Sequence, residues 1–473
     1  MKITLIFPPS VYQTKQTMPP LGIAWLAAVL RENGFKDISL IDSVINQYSY
    51  EDVVKLVKKN VPDILGLSFG TQSRFKAFDL ARMLKKNFPD VPIVVGGPHP
   101  TLTADDILKN IPEIDIVCRG EGEYTFLDLV KTIEKKVDLQ YVKGISFRAK
   151  NGQIIHNPIR EPIQDLDSLP LPARDLLPID KYQQTIPLSD KKICTSMITA
   201  RGCPYSCVYC STSEQWGHKI RYRSPDNVVN EIKHLMKNYK LDGVGFFDDV
   251  FTMDKSRVID ICQKILEKKL NISWWCEARA NTIDKEVVSW MKKAGCEHIS
   301  MAIESGSDKI LKNINKAITV EQGIEASKII KKAGIKLKVF FMHSLPGETY
   351  EDIKKTVFLS RYLVNKIGVD EATQGLTLIY PRTALERMAK ELKTLPEDFS
   401  WSKYFEEKRS YPPLDRCPYV PVFEQPDLTY EQVFRYVKRA KTEYYLRHPI
   451  QLFKNLLKYR KTILKWLTTK VKK

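Results

Sequence analysis

Two series of apolar strands alternating with amphipathic helices constrain the fold of this chain more than any other sequence feature. The first series has five short apolar runs, each followed by a stretch with helical periodicity. Apolar strands joined by helices form parallel sheets that are covered on both faces. We therefore predict an α/β protein whose residues 1–140 form a flavodoxin-like, doubly wound domain of the Rossmann type. The five predicted strands are 2–7, 38–42, 64–69, 92–97 and 115–119.

The second series begins at residue 191 and has six strand-and-helix units. Six such units predict an open, partial (β/α)6 barrel over residues 191–385, with its chemistry at the C-terminal ends of the strands. The segment 141–190 is rich in proline and lacks periodicity, which predicts an extended linker between the domains. We expect a helical region over 386–473. The six predicted barrel strands are 196–199, 243–248, 273–278, 298–304, 336–343 and 372–380.

The composition is that of a globular protein. With 473 residues, 43% of them hydrophobic and 27% charged, the chain can form two or three domains with full cores. The apolar run at the N-terminus is too short for a signal peptide and ends at Pro8 and Pro9. No run approaches the ~18 apolar residues that cross a bilayer, so we predict a cytoplasmic protein.

Three cysteines with the spacing CxxxCxxC follow the first predicted barrel strand: Cys203, Cys207 and Cys210. Three soft thiolates on one tight loop suit a metal cluster better than a disulfide. In a 4Fe-4S cluster, three protein ligands leave one iron free to bind a small molecule, whereas structural zinc normally takes four protein ligands. Zinc remains the alternative, although the nearest further ligands, Cys194 and His218, are not at a familiar zinc spacing.

The cysteine loop resembles that of the radical S-adenosylmethionine (radical SAM) superfamily, in which the free iron binds the amino and carboxylate groups of S-adenosylmethionine. Tyr209 belongs to the same signature and would lie near the adenine. The resemblance implies that a reduced cluster cleaves S-adenosylmethionine and releases a 5′-deoxyadenosyl radical, which removes hydrogen from an unactivated carbon. It also implies an electron donor such as flavodoxin or ferredoxin.

Charged residues at the barrel strand ends are the candidates for holding S-adenosylmethionine, because buried charges must be paired. Among these candidates, Glu277 and Arg279 end the third strand and Glu304 ends the fourth, and we favour Glu304 and Arg279 for this role. The resemblance implies that acidic residues after the second strand and the Glu-Ser-Gly segment at Glu304 approach the amino acid and ribose parts of S-adenosylmethionine. Asp248 and Asp249 are candidates for the same site, but a carboxylate pair at a strand end can equally cap the following helix. The turn after the fifth barrel strand resembles the family's Gly-Leu-Pro-Gly-Glu-Thr segment, with Ser344 in place of the first glycine.

The loops after the third, fourth and fifth strands of the first domain resemble those of the cobalamin-binding domain that precedes the radical SAM domain in one large branch of the superfamily. The Asp-x-His-x-x-Gly motif of other cobalamin proteins is absent, so a histidine ligand from that loop is not expected. His99 is either a substitute ligand or a hydrogen-bonding loop residue. The candidate cobalamin-binding residues are Ser68, Thr71, Gly96, Gly97, His99, Gly120 and Glu121.

The resemblance therefore implies a cobalamin-dependent radical SAM enzyme that transfers a methyl group to an unactivated carbon. A second S-adenosylmethionine would then remethylate the cobalt. A small, apolar, lipid-like substrate would fit a C-terminal tail that faces a membrane. The first alternative is ring formation or oxidation, as in the anaerobic porphyrin-ester cyclases. The second alternative is a non-catalytic cobalamin sensor or carrier with a structural cluster.

Basic residues concentrate at the C-terminus. The net charge is +18, and residues 431–473 contain 13 Lys or Arg against Glu431 and Glu443. After Pro449 apolar residues recur at helical spacing with lysines between them, which predicts a basic amphipathic helix. This helix would lie on the inner face of an anionic membrane or dock on the barrel. Charge alone is weak evidence for nucleic acid, which we do not expect as a partner.

Overall fold

The computed structural model describes residues 1–10, 18–189, 192–239, 241–404 and 419–449. In the first domain, five helices and seven strands alternate as the sequence predicts up to the fifth strand. The strands are β1 (Lys2–Phe7), β2 (Asp37–Asp42), β3 (Ile64–Ser68), β4 (Ile93–Gly96), β5 (Ile116–Cys118), β6 (Ile145–Arg148) and β7 (Ile154–His156). The helices are α1 (Leu21–Glu32), α2 (Tyr50–Lys59), α3 (Arg74–Asn87), α4 (Pro98–Asn110) and α5 (Gly122–Glu134).

The strand order of this first sheet is β2-β1-β3-β4-β5-β6-β7. The first five strands are parallel, and apolar clusters cover both faces of the sheet. The order confirms the flavodoxin-like topology. The direction of winding reverses between β1 and β3, and ligands bind in such folds beyond the carboxyl ends of the strands at this point.

The sheet extends further along the chain than the sequence analysis predicts. The strand β6 pairs antiparallel with β5, and β7 pairs antiparallel with β6, within the segment 141–190 that the sequence analysis predicts to be a linker. A short turn and not a helix joins β6 to β7, so the alternation of strands and helices that marks β1 to β5 is absent there. The extended, proline-rich part therefore begins after His156.

The second domain contains a six-stranded parallel sheet in the order β15-β14-β13-β12-β11-β8, which confirms the open, partial barrel. Its strands are β8 (Cys194–Met197), β11 (Gly243–Phe246), β12 (Ser273–Ala278), β13 (Cys296–Glu304), β14 (Lys336–His343) and β15 (Glu371–Leu376), and a small ribbon is formed by β9 (Ala200–Arg201) and β10 (Arg221–Tyr222). The helices are α6 (Thr212–Trp216), α7 (Pro225–Tyr239), α8 (Lys255–Glu267), α9 (Lys285–Lys293), α10 (Asp308–Asn313), α11 (Val320–Lys332), α12 (Tyr350–Tyr362), α13 (Ala384–Glu391) and α14 (Tyr430–Arg447).

The cysteine loop begins and ends at the β9–β10 ribbon. Arg201 lies opposite Arg221 in this antiparallel pair, so the ribbon closes the loop 202–220 at its base. Gly202 has a φ of +106°, and a Cβ atom on it would lie 2.4 Å from the carbonyl oxygen of Lys219. Only glycine combines this backbone conformation with such a close approach.

The segment between the two domains contacts both of them. The Arg174 guanidinium donates to Glu231 of α7 over 2.6 Å, and the Tyr182 hydroxyl donates to Asp42 at the end of β2 over 2.6 Å. At the other end of the chain, α14 packs against α12 through a small apolar cluster. The predicted basic helix after Pro449 lies outside the described residues. Among the helices that are described, none is long and apolar enough to span a membrane.

Candidate active site

Three thiols and a ring of polar side chains surround a cavity of about 230 Å³ at the C-terminal edge of the barrel. Cys203, Cys207 and Cys210 are half-buried and free of disulfides. The opposite wall comes from the strand ends and the loops that follow them, which is where a barrel of this type places its chemistry. The polar residues of that wall are Asp249, Glu277, Arg279, Ser300, Glu304 and Lys316.

The donor set fits an iron-sulfur cluster with one open iron. The three thiols share one cavity, and soft sulfur donors favour iron-sulfur clusters over hard cations. The predicted alternative of a structural zinc site needs a fourth protein ligand. The cavity lining that the structure describes contains no histidine and no cysteine beyond these three.

Glu304 ends β13 inside this cavity and is held by two donors. The Tyr209 hydroxyl donates to its Oε1 over 2.8 Å, and the Lys316 ammonium donates to the same oxygen over 2.9 Å. Lys316 also lies 3.1 Å from the Tyr209 hydroxyl, so the three polar groups form one buried network. The φ of Glu304 is +74°, a conformation that costs about 1–3 kcal/mol in a residue other than glycine. Such strain in a cavity wall is typical of a functional residue.

Arg279 follows β12 and reaches the cysteine loop. One guanidinium nitrogen donates to the Lys316 carbonyl, and the other lies 3.8 Å from the Cys207 sulfur. The guanidinium carbon stacks 3.6 Å over the Tyr205 ring. A buried cation beside a thiolate stabilises the thiolate, so Arg279 can favour a negatively charged cluster or a bound carboxylate.

The side chains of Asp248 and Asp249 have different surroundings. Both Asp248 oxygens accept hydrogen bonds from Thr199 and Ala200, which ties the end of β11 to the residues after β8. Asp249 instead lines the cavity, where burial raises its pKa to about 6. The structure therefore brings Asp249 to the cavity, whereas Asp248 neither lines the cavity nor caps the following helix α8, whose N-cap is Asp254.

Glu277, which the sequence places at the end of the third barrel strand, lines the same cavity. Its side chain faces the interior of the cavity, and burial, followed by the charges of Asp249 and Asp248, raises its pKa to about 7. It lies on β12 two residues after the buried Trp275 and two residues before Arg279. Residues two apart in a strand point to the same face of the sheet. The sequence therefore places Trp275, Glu277 and Arg279 on one face.

A second cavity, of about 250 Å³, lies at the carboxyl edge of the first sheet. Its walls are mostly apolar and include Leu5, Val94 and Phe126. A Cβ atom on Gly97, whose φ is +95°, would lie 2.9 Å from the Ser68 hydroxyl, so glycine keeps this wall open. Of the predicted cobalamin residues, the structure brings to this cavity Ser68, Gly96, Gly97, Gly120 and Glu121.

Comparison with known proteins gives a family match for each of the two domains. The model of the radical SAM superfamily matches residues 197–359, and the model of the B12 binding domain matches residues 11–130. An uncharacterized methyltransferase of Pyrococcus horikoshii is 35% identical over 98% of this chain and 96% of its own length. The chain belongs to the radical SAM superfamily. As a radical SAM enzyme with a B12-binding domain, it uses a 4Fe-4S cluster, S-adenosylmethionine and cobalamin.

Two further proteins resemble this radical SAM enzyme over most of its length. The anaerobic magnesium-protoporphyrin IX monomethyl ester cyclase of Rubrivivax gelatinosus is 32% identical over 72% of this chain and 62% of its own. The solved structure of the cobalamin-dependent S-adenosylmethionine radical enzyme OxsB, with aqua-cobalamin and S-adenosylmethionine bound, covers 90% of this chain with a TM-score of 0.72 and 21% identity. The matched part is 64% of the OxsB chain, and the likeness shows that the two share a fold.

The second cavity is called the cobalamin cavity from here on, because residues of the B12-binding domain form most of its wall. Thr71 and His99 are not part of this wall. His99 is fully buried at the start of α4, and its Nδ1 lies 3.1 Å from the Thr71 hydroxyl. Burial, followed by the charge of Arg74, holds the pKa of His99 well below its usual range. Its ring packs near Phe69 and Trp401. The structure favours the predicted alternative of a hydrogen-bonding residue, although this residue lies in a helix and not in a loop.

Glu121 lines the cobalamin cavity with its carboxylate already engaged. Its Oε2 accepts a hydrogen bond from the backbone of Ile163 over 2.8 Å, and Arg221 and Arg201 contact the two oxygens. A carboxylate with these partners is well placed to fix the cavity wall.

Proposed function

We propose that this radical SAM enzyme transfers a methyl group to an unactivated carbon of an apolar small molecule. The observation that carries the proposal is that one segment of the chain forms a wall of both cavities. Residues between Cys203 and Thr212 line the cavity that contains the three cysteines, called the cluster cavity below. Gln215 and Trp216, a few residues further on, line the cobalamin cavity. A radical formed on one side of this segment would therefore arise close to cobalamin on the other.

When bound, the cluster and S-adenosylmethionine supply the 5′-deoxyadenosyl radical, and methylcobalamin supplies the methyl group. The residues of the chain bind, orient and enclose these groups. The three cysteines would hold the cluster, and Arg279 and the Glu304–Lys316 pair would orient the charged end of S-adenosylmethionine. Tyr209 would lie near the adenine, as the family signature implies. Reduction would come from a small electron carrier such as flavodoxin or ferredoxin.

Similarity supports methyl transfer, because the relative from Pyrococcus horikoshii is an uncharacterized methyltransferase. The apolar class of the substrate is proposed from the basic C-terminal region, which would bring the enzyme to a membrane. The similarity to the porphyrin-ester cyclase favours a second candidate, in which the same radical leads to ring formation or oxidation. The two reactions differ in their products, because methylation adds one CH2 unit and ring closure removes two hydrogens.

A comparison of products tests the proposal. Lipid and water-soluble extracts of a strain that lacks the protein are compared by mass spectrometry with extracts of the complemented strain. A product that is heavier by one CH2 unit supports methyl transfer, and a product that has lost two hydrogens supports the cyclase. Cys207→Ala should abolish the product and the release of 5′-deoxyadenosine in vitro, whereas Cys262→Ala, in the barrel core, should retain both. Release by Cys207→Ala would contradict the assignment.

We also propose that the C-terminal region brings the enzyme to the cytoplasmic face of an anionic membrane. Leu446 is 76% exposed at the end of α14. Basic residues attract anionic lipid headgroups at about 1 kcal/mol each, and such a surface would suit a lipid-like substrate. The exposed cations of α14 are Arg435, Lys438, Arg439 and Arg447.

Sedimentation with vesicles tests the membrane proposal. Replacing these four cations with Gln should reduce the fraction of the full chain that sediments with phosphatidylglycerol vesicles, with no effect on neutral vesicles. A matched variant replaces four exposed lysines in or directly after the barrel helices with Gln, and it should sediment as the wild type does. Equal losses in both variants would exclude a specific surface on α14. The control positions are Lys268, Lys285, Lys293 and Lys332.

A further inference from the structure

A buried ionic network joins the base of the cysteine loop to the cobalamin-binding domain. Arg201 and Arg221 belong to the β9–β10 ribbon, and Glu121 and Glu123 lie at the start of α5. The four side chains are at most 6% exposed, although they come from two domains. Two cations and two carboxylates make the network electrically neutral.

Both arginines contact residues of the other domain. Arg201 donates to the Glu123 carboxylate over 2.6 Å and lies 3.5 Å from Glu121. Arg221 contacts the other oxygen of Glu121 over 2.5 Å and donates to the Ile163 carbonyl of the linker. The network therefore connects three parts of the chain at one point.

The ribbon needs these carboxylates. Arg201 and Arg221 lie directly opposite each other in the antiparallel pair, and like charges at such positions destabilise a ribbon unless they are neutralised. The neutralising groups come from Glu121 and Glu123 of the other domain. The geometry at the base of the loop that carries the three cysteines thus depends on the docking of the first domain.

Arg201 also forms part of the cobalamin cavity wall. Its guanidinium lies 5.2 Å from the centres of both the Trp25 and Trp216 rings, one from each domain. Along the chain it directly precedes Gly202 and Cys203. No other residue of the network both lines the cobalamin cavity and belongs to the strand that leads into the cysteine loop.

We propose that Arg201 is a positioning residue that fixes the spacing between the iron-sulfur cluster and cobalamin. The inference rests on the proposed function in that both groups must be bound. Arginine suits the role because its planar fork contacts two carboxylates at once, which the single ammonium of lysine cannot do with the same geometry. Loosening the network should change the spacing of the two cofactors before it removes either of them.

Pulsed electron paramagnetic resonance measures this spacing in the loaded full chain, with the cluster and cobalamin both in paramagnetic oxidation states. In Arg201→Lys, the width of the distance distribution should increase at least twofold over the wild type. Arg174→Lys is the matched control, because it weakens a buried Arg–Glu contact outside both cavities. Its distribution should keep the wild-type width.

An unchanged distribution in Arg201→Lys, or equal broadening in the Arg174→Lys control, would overturn the inference. If Arg201→Lys does not fold, Glu123→Gln provides the same measurement, because it keeps the shape of the side chain and removes one charge; the same broadening is expected, and a wild-type width overturns the inference. Failure of the proposed function would look different, since the wild type itself would then not take up both the cluster and cobalamin.

Discussion

Ser344 shows how one residue of this enzyme departs from its family without losing the local structure. It has a φ of +65°, in the turn where the family motif has glycine. A left-handed conformation costs a residue with a Cβ about 1 kcal/mol. The Ser344 hydroxyl donates to the Phe423 carbonyl, and its amide donates to Glu348 over 2.6 Å. These bonds offset the strain and tie the turn to the segment before α14.

Substitution of Ser344 separates the two effects. Ser344→Ala keeps the strain and loses the hydroxyl, so we expect the free energy of unfolding to fall by about 2 kcal/mol. Ser344→Gly loses the hydroxyl but relieves the strain, so it should be more stable than Ser344→Ala by about 1 kcal/mol. Urea unfolding of the two variants and the wild type checks this order. An alanine variant as stable as the glycine variant would contradict it.

Glu277 should make the cofactor-free protein less stable as the pH rises. Its pKa is about 7 in the folded chain, against an ordinary value of 4.5. The unfolded chain therefore loses its proton first, and stability falls between pH 4.5 and about pH 7, with no further change above. Because the side chain is exposed to the cavity, we discount the effect to roughly 1 kcal/mol. Glu277→Gln should gain this amount at pH 8 and nothing at pH 4.5.

Urea unfolding at the two pH values measures the difference between Glu277→Gln and the wild type. All other titrating groups are common to both proteins, so they cancel in this difference. A gain of equal size at both pH values would show that the substitution acts through packing and not through the charge of the carboxylate.

At the scale of elements, Gly202 should decide whether the cysteine loop takes up its cluster. A Cβ atom there would meet the Lys219 carbonyl oxygen at 2.4 Å, and this backbone oxygen cannot move without opening the β9–β10 ribbon. Gly202→Ala should therefore reduce the iron content after anaerobic reconstitution by more than half. Gly217 is the matched control, since its φ is +80° but no atom lies within 4 Å of an added Cβ.

Iron and sulfide analysis of the two alanine variants makes this comparison. Gly217→Ala experiences the strain of a positive φ without the clash, and it should bind nearly the wild-type amount of iron. Equal losses in the two variants would mean that backbone strain alone, and not the closure of the ribbon, limits assembly of the cluster.

Strands that alternate with helices could be predicted from the sequence, and the small ribbon could not. The six barrel strands are separated by helices, so the strand-and-helix pattern is clear even for the four-residue β8 and β11, whereas β9 and β10 have two residues each and no helix between the strand β8 and the ribbon. The cysteines and the glycines of the cobalamin cavity could be found from their spacing in the sequence. Lys316 could not be found in this way, because it lies in a loop after α10 and reaches Glu304 only through the tertiary fold. The buried position of Asp248 outside the cavity lining is also a tertiary effect, set by its hydrogen bonds from Thr199 and Ala200.

At the scale of the whole molecule, contacts across the domain boundary are buried and numerous enough to couple the two domains. The linker contributes Arg174 and Tyr182, one to each domain. From the C-terminal region, the Trp401 carbonyl accepts a hydrogen bond from Arg74 over 2.8 Å. Breaking one buried ion pair costs about 3–5 kcal/mol, a large fraction of the stability of a typical domain. Neither domain can therefore unfold without substantial loss to the other.

Calorimetry of the cofactor-free chain should accordingly show a single unfolding transition. Tyr182→Phe removes the hydroxyl that donates to the buried Asp42 carboxylate, and we expect it to lower the free energy of unfolding by about 2 kcal/mol. The transition should move to lower temperature without splitting, because the linker contact stabilises both domains together. Tyr141→Phe is the control, since Tyr141 is 73% exposed, and it should leave the transition unchanged. Two resolved transitions in the wild type would show that the domains unfold independently and that the linker only tethers them.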